Sequence, residues 1–152
     1  MTTLTTFGNL YIGNKMTDMP FFNTPWFDET AAKLRQVPGT GQIFNPAEWD
    51  RMRGFDPMKC PRGSIEEARE AGFDLRTALG SDWEWIAKYS NGLIIGPEWD
   101  TSKGTISEIA CHQALGLPVW EAELFFTGVK LGSAANLFAT EWQFPSLGFL
   151  MA

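Results

Sequence analysis

Carboxylates set among hydroxyls, glycines and tryptophans are the residues of this chain best suited to chemistry. The richest stretch is Gly96-Pro-Glu-Trp-Asp-Thr-Ser-Lys-Gly-Thr-Ile-Ser-Glu108. An apolar run ends before it, hydroxyl residues and Gly follow, and a helix pattern begins. Backbone N–H groups at a helix start lack partners within the helix, so an anion or a hydroxyl-rich ligand fits there. Glu108 falls in the first turn or so, where the helix dipole favours an ionised carboxylate, as a nucleophile at neutral pH requires. On this stretch alone the plainer reading, a carboxylate that merely stabilises a helix start, carries more weight.

A second carboxylate, Asp82, lies in Asp82-Trp-Glu-Trp-Ile86, where Trp83 and Trp85 flank Glu84. It is either a solvated acid beside core tryptophans or a partner of Glu108 in one pocket, and spacing does not decide between them. Cys60, Cys111 and His112 do not have the spacing of a zinc site, so no metal is expected. His112 follows Glu108 by four residues on one helix face, close enough to bond that carboxylate, though a packed structural histidine is the simpler reading. Gly39-Thr-Gly41 is too short for a phosphate-binding loop and reads as a turn.

The elements that must position these groups alternate in type. Leu10-Tyr-Ile-Gly13 reads as a buried strand. Thr24 as N-cap and Pro25 at the first helical position open a helix that runs to about Gln36. Gln42 to Asn45 is a second strand, and Pro46 to Arg53 a short helix. Ser64-Ile-Glu-Glu67 is a capping box. A helix from Asp74 to about Tyr89 places Leu75, Leu79, Trp83 and Ile86 on one apolar stripe. Leu93 to Ile95 is a third strand, Gly104 to Leu115 a helix closed by Gly116, and Leu117 starts a fourth strand. Short apolar strands alternating with helices predict an α/β fold. The expected form is a doubly wound, mostly parallel sheet of four to five strands with helices on both faces, Rossmann- or flavodoxin-like. Ligands in such sheets sit beyond the carboxyl ends of the strands, here Gly13-Asn14, Asn45-Pro46 and Gly96-Pro97.

Composition sets the outer bounds. The 152 residues, 44% hydrophobic, suit one core. A net charge of -6 without a Lys/Arg run argues against direct nucleic acid binding. No apolar run approaches the roughly 20 residues of a membrane span, and Met1 to Thr6 lacks the features of a signal peptide, so no membrane contact and a cytoplasmic location are expected. Two cysteines suit a reducing compartment. The 7 Trp and 12 Phe exceed what one core needs, so some rings should line a pocket or a subunit interface. Residues 1–124 form the expected domain, and 125–152 an aromatic extension packed on it or at an interface. Phe125, Phe126, Phe138, Trp142, Phe144 and Phe149 in that extension point to a homo-oligomer.

Taken together, the motifs resemble the nucleoside 2-deoxyribosyltransferase superfamily, especially small members encoded by bacteriophages. The resemblance runs from about Tyr11 to Trp120. Tyr11-Ile-Gly-Asn-Lys-Met-Thr-Asp18 is similar to the family's Tyr-Ile-Ala-Gly-Pro-Met-Thr-Gly loop, and Pro20-Phe-Phe-Asn23-Thr-Pro25 to its Pro-x-Phe-Asn-x-Pro pattern. Phe44-Asn-Pro-Ala-Glu-Trp-Asp50 matches its Asn-Pro-Ala-Glu segment, and Asp82-Trp-Glu-Trp-Ile86 the segment whose Asp contacts the base. Trp99-Asp-x-Ser102-x-Gly104-x-x-x-Glu108 matches the segment of the catalytic Glu, followed by Ala114 to Val119. Each motif alone is weak; five in the right order are fairly specific. The chain departs from the pattern where Asn14-Lys15 replaces Gly-Pro and where Ser90-Asn91 replaces Ala-Asp.

The resemblance implies N-glycosidic bond cleavage of a 2'-deoxynucleoside or its 5'-monophosphate, by hydrolysis or by base transfer, without a cofactor. Glu108 would be the nucleophile, Asp82 the acid toward the leaving base, and Tyr11 the residue that orients the nucleophile. Gly13, Asn14, Lys15, Asn23, Trp26, Asn45, Trp99, Ser102 and Gly104 would bind substrate, with Trp26 or Trp99 stacking on the base. Transferases acting on free nucleosides often carry Asp six residues before the Glu, whereas the branch that hydrolyses 5'-monophosphates carries Ser, as Ser102 does here. A hydroxyl at a helix start donates to phosphate where a carboxylate would repel it. With Lys15 and Lys103 nearby, this favours a nucleotide substrate. For a phage-encoded chain the location would be the host cytoplasm. The alternative is a nucleotide-binding or nucleotide-sequestering protein on the same fold without turnover.

Overall fold

The computed structural model describes residues 6–130. The sheet comprises β1 (Gly8–Gly13), β2 (Thr40–Phe44), β3 (Gly92–Ile95) and β4 (Val119–Glu121), in the order β2-β1-β3-β4 with every pair parallel. The helices are α1 (Thr24–Arg35), α2 (Pro46–Met52), α3 (Ile65–Glu70), α4 (Leu75–Tyr89), α5 (Lys103–Ala114) and α6 (Ala122–Lys130). The expected α/β class with a parallel sheet is therefore the observed one. No helix among the described residues is long and apolar enough to cross a membrane.

Strand pleating sorts the core into two layers. Leu10 and Ile12 of β1 and Ile94 of β3 point to one face, where they pack with Phe27, Ala31 and Leu34 of α1 and Phe125 of α6. Tyr11 of β1 and Leu93 and Ile95 of β3 point to the other, against Trp85 and Ile86 of α4 and Ile109 of α5. Strands buried on both faces explain why they read as continuous apolar runs. Phe125, the first residue of the expected extension, is fully buried against Phe7 and Trp120, and Phe126 packs beside it. The remaining aromatic tail residues, Phe138, Trp142, Phe144 and Phe149, lie outside the described residues.

Local signals place most helix starts. Ser64 and Glu67 form both bonds of the capping box before α3, and Asp74 accepts from Arg76 and Thr77 N–H before α4. The start of α1 differs from the expectation that Thr24 caps it. Asn23, in the left-handed region at φ 59°, takes the N-cap position, and its side chain instead donates to the Lys15 carbonyl at 3.0 Å. Thr24 is the first helical residue, its hydroxyl buried without a partner. The α4 stripe also needs correction. Ile86 is buried, but Trp83 and Leu75 are exposed, and the inward face carries Ala78 and Trp85 instead.

The strand order reverses direction between β1 and β3, the two strands that flank the first crossover and the second. Parallel sheets of this kind open a crevice at that switch point. Gly96 N–H donates to the Gly13 carbonyl at 2.9 Å, so the two strands stay paired to the lip of the crevice.

Candidate active site

A cavity of about 450 Å³ opens beyond the carboxyl ends of the strands. Four elements carry its polar groups and the glycines beside them. Tyr11 and Gly13 come from the end of β1, Asp50 from α2, Asp82 from α4, and Ser102, Gly104 and Glu108 from the start of α5. The rest of the wall is chiefly apolar, including Phe22, Phe27, Phe55 and Phe73. Two carboxylates that the sequence could not place in one pocket thus share it, with the Tyr11 phenol.

The pairing follows from the fold. Tyr11 alternates with Leu10 and Ile12, so its ring enters the α4/α5 layer, stacked on Phe44 with ring centroids 4.7 Å apart. Gly13 keeps β1 bare at its end: a Cβ there would sit 3.2 Å from Glu108 Oε2 and from Thr105 Cγ2. Glycine therefore lets the carboxylate lie directly over the strand end.

These groups are buried and short of partners. Tyr11 Oη, Asp82 Oδ1 and Glu108 Oε2 are all inaccessible to solvent and make no well-formed hydrogen bond among the described residues, although the Tyr11 hydroxyl lies near enough to both carboxyls to draw them down. Each such atom costs roughly 1–3 kcal/mol when left unmade, which is tolerable where a ligand completes it. Burial, then the charge of Asp82, pushes the Glu108 carboxyl well above its ordinary range, with Tyr11 opposing. The expected pull of the helix dipole toward the ionised form is thus opposed by burial and by Asp82. Glu108 is the sixth residue of α5, beyond the first turn, where the dipole is weak and desolvation prevails. Burial, then the neighbouring charge of Asp50, raises Asp82 to about 7, against the pull of Arg53 and Tyr11. Tyr11 is raised by burial and by both carboxylates.

At the rim, Ser102 caps α5, its Oγ accepting from Thr105 N–H at 3.2 Å and from Thr105 Oγ1 at 2.9 Å. The Ser102 proton remains to be donated, and Lys103 beside it has no ion-pair partner among the described residues. Asn14 also lines the cavity, but its side chain spans the crevice. It donates to Glu98 Oε2 at 2.7 Å and accepts from Glu98 N–H at 3.1 Å, tying the loop after β1 to the loop after β3. A Cβ on Gly96 would collide with the Asn14 amide, so the clip requires that glycine.

Of the residues singled out in the sequence, Tyr11, Gly13, Asn14, Asp82, Ser102, Gly104 and Glu108 converge on the cavity, and Lys15, Asn23, Trp26, Asn45 and Trp99 lie outside its lining. Lys15 and Asn23 bond each other across the first loop. Trp26 packs edge-on against Phe27, and Trp99 packs at the border of the α4/α5 core. Asn45 is a buried cap, accepting from Ala47 N–H and donating to Asp28 Oδ1, both at 2.9 Å. His112 is structural: its Nδ1 lies 2.7 Å from the Glu108 carbonyl and its Nε2 2.7 Å from Ser90 Oγ. Cys60 and Cys111 are free thiols.

Sequence reasoning missed Asp50, the last residue of the Phe44–Asp50 segment. Asp50 is buried, lines the cavity, and is raised to about 6 by burial in spite of Arg53, which donates to its Oδ1 at 3.0 Å. The available signal was an acid on the inward side of a short helix, three residues before an Arg. Also missed were Phe22, Phe55 and Phe73, which line the cavity where Trp26 and Trp99 were expected. Scanned against protein-family models, curated proteins and solved structures, the chain matches none.

Proposed function

We propose that this chain cleaves the N-glycosidic bond of a 2'-deoxynucleoside or its 5'-monophosphate. The observation that carries the reading is the meeting of Glu108, Asp82 and the Tyr11 phenol, from three elements, inside one chiefly apolar cavity at the switch point of the sheet. Glu108 attacks the anomeric carbon and the bond to the base breaks, giving a glycosyl ester. Asp82, protonated up to about 7, gives its proton to the departing base. Water or a second base then displaces Glu108. The productive state of the two carboxylates carries one proton between them, on Asp82, as in other close carboxylate pairs. Tyr11, facing both, orients the ionised Glu108. The free donor of Ser102 and the charge of Lys103 suit a 5'-phosphate at the rim.

The test is incubation of the full chain with each common deoxynucleoside and its 5'-monophosphate, with free base followed by chromatography. Release from at least one substrate is expected, falling at least about a hundredfold in Glu108→Gln. Undiminished release by a folded Glu108→Gln refutes the mechanism. The upward shift of the Glu108 carboxyl, driven by burial and by Asp82, favours a second reading, a nucleotide-binding protein without turnover. Calorimetric binding of a deoxynucleotide with no base released supports that reading over the first.

A further inference from the structure

The cavity holds a third carboxylate whose surroundings differ from those of Asp82. Asp50 is 6% exposed, on α2, and its Oδ1 is taken by Arg53 at 3.0 Å. Its Oδ2 has no hydrogen bond among the described residues. Asp82 faces it from α4 with no cation bonded to it and with Oδ1 buried and unpartnered. Tyr11 from β1 and Glu108 from α5 face Asp82 as well, and Lys103 lies on the cavity wall. Carboxylates so placed do not ionise together readily, because each charge disfavours the next. Arg53 bonds Asp50 and not Asp82, so of the two on this wall Asp50 is the better placed to hold the charge and Asp82 the proton.

One wall of the cavity therefore presents a hydrogen-bond acceptor, Asp50 Oδ2, beside a hydrogen-bond donor, the protonated Asp82. We infer that Asp50 and Asp82 together read the edge of the base, and that they select bases in which a ring nitrogen acceptor adjoins an exocyclic amine. Adenine offers such a pair in N7 and the N6 amine, and cytosine has one in N3 and the N4 amine. Guanine presents two acceptors at N7 and O6, which would leave Asp50 facing an oxygen. Its one acceptor–amine pair, N3 with the N2 amine, lies on the edge beside the sugar rather than on the edge that carries N7. Hypoxanthine also presents two acceptors at N7 and O6, and uracil and thymine present N3–H to the donor of Asp82. This inference rests on the proposed N-glycosidic reading and gives that site its substrate class. In it Asp50 is a specificity-determining residue, and the Arg53 pair fixes its charge.

The experiment compares matched amino and oxo substrates on the full chain: deoxyadenosine with deoxyinosine, and deoxycytidine with deoxyuridine, each also as the 5'-monophosphate. Base release is followed by chromatography and equilibrium binding by calorimetry. Within at least one pair, the amino form should exceed the oxo form by about tenfold or more in kcat/KM, the effect of one hydrogen bond to a charged group. Asp50→Asn, whose amide can donate as well as accept, should bring that ratio toward one while the variant stays folded by circular dichroism. A merely structural Asp50 would instead lower both members of a pair alike, leaving the ratio unchanged. Equal handling of amino and oxo substrates by the wild type overturns the inference and leaves the glycosidic reading standing. Preferential binding of amino forms without base release upholds the recognition and overturns the reaction. Neither binding nor release of any of these substrates overturns both.

Discussion

Replacing Asp82 by Asn should stabilise the chain above pH 7 and change it far less near pH 4. The Asp82 carboxyl titrates at about 7 in the folded chain, against an ordinary 3.8, chiefly because it is buried and because Asp50 faces it. A folded-state value above the unfolded one means that the native chain holds a proton which the unfolded chain has already released. Stability from this group is complete below about pH 4 and is lost as pH rises to about 7, beyond which the loss is constant. The interval from 3.8 to about 7 corresponds to roughly 4 kcal/mol, an upper figure because water entry and side-chain movement relieve part of it. Asn keeps the shape and never ionises, so the variant escapes that loss. For a domain of this size, roughly 3 kcal/mol is worth on the order of 10 °C in Tm. Thermal unfolding of both proteins by calorimetry at pH 4.5, 6 and 8 makes the comparison. The difference at pH 4.5 measures the cost of the amide itself, and its growth toward pH 8 isolates the charge. A Tm difference that stays constant across the three pH values, or that moves against the variant as pH rises, refutes the account of the site as a place of confined charge.

Ser102→Asp places a carboxylate at the rim where a hydroxyl proton is free; it should erase or reverse a preference for a monophosphate over its nucleoside, and equal use of both by the wild type would dismiss the phosphate assignment. Gly13→Ala sets a methyl group 3.2 Å from Glu108 Oε2, so base release should fall about tenfold or more with Tm nearly unchanged, and full activity would show that Glu108 need not lie over the strand end. The aromatic tail predicts a homo-oligomer, so light scattering of the full chain at micromolar concentration should return a multiple of the monomer mass, and a strict monomer removes that expectation.

How much of this was legible in the sequence depended on whether one local pattern carried the information. Strands buried on both faces read as apolar runs, and the capping residues Ser64 and Asp74 mark their helices through bonds to the next few N–H groups. Asn23 hid the start of α1, since a left-handed residue whose amide reaches back to Lys15 has no signature within its own helix. The stripe of α4 was misread for a related reason. Its inward face carries Asp82 between Ala78 and Trp85, and a polar residue on the buried side of a helix breaks the pattern by which the side is recognised. A position where local rules fail is where a functional group is to be expected.

The same reasoning separates the part of the site that could be read from the part that could not. The positions of Tyr11, Gly13, Ser102 and Glu108 follow from element order alone, because parallel strands put their carboxyl ends in one crevice. Protonation does not follow from element order. It depends on which charges face one another across α2, α4 and α5, and those helices are separated in the chain by loops whose course no spacing records. The helix start favours a charge on Glu108, whereas burial beside Asp82 pushes its carboxyl upward, and only the second effect depends on the neighbouring elements. Asp50 went unnoticed because its partner in chemistry, Asp82, is 32 residues away, while its partner in sequence, Arg53, makes it look like an ordinary surface ion pair. Three acids enclosed in one cavity, with a single guanidinium bonded to one of them, oppose folding at neutral pH. A chain keeps such an arrangement at the expense of stability when a ligand uses the protons and charges that the fold has confined.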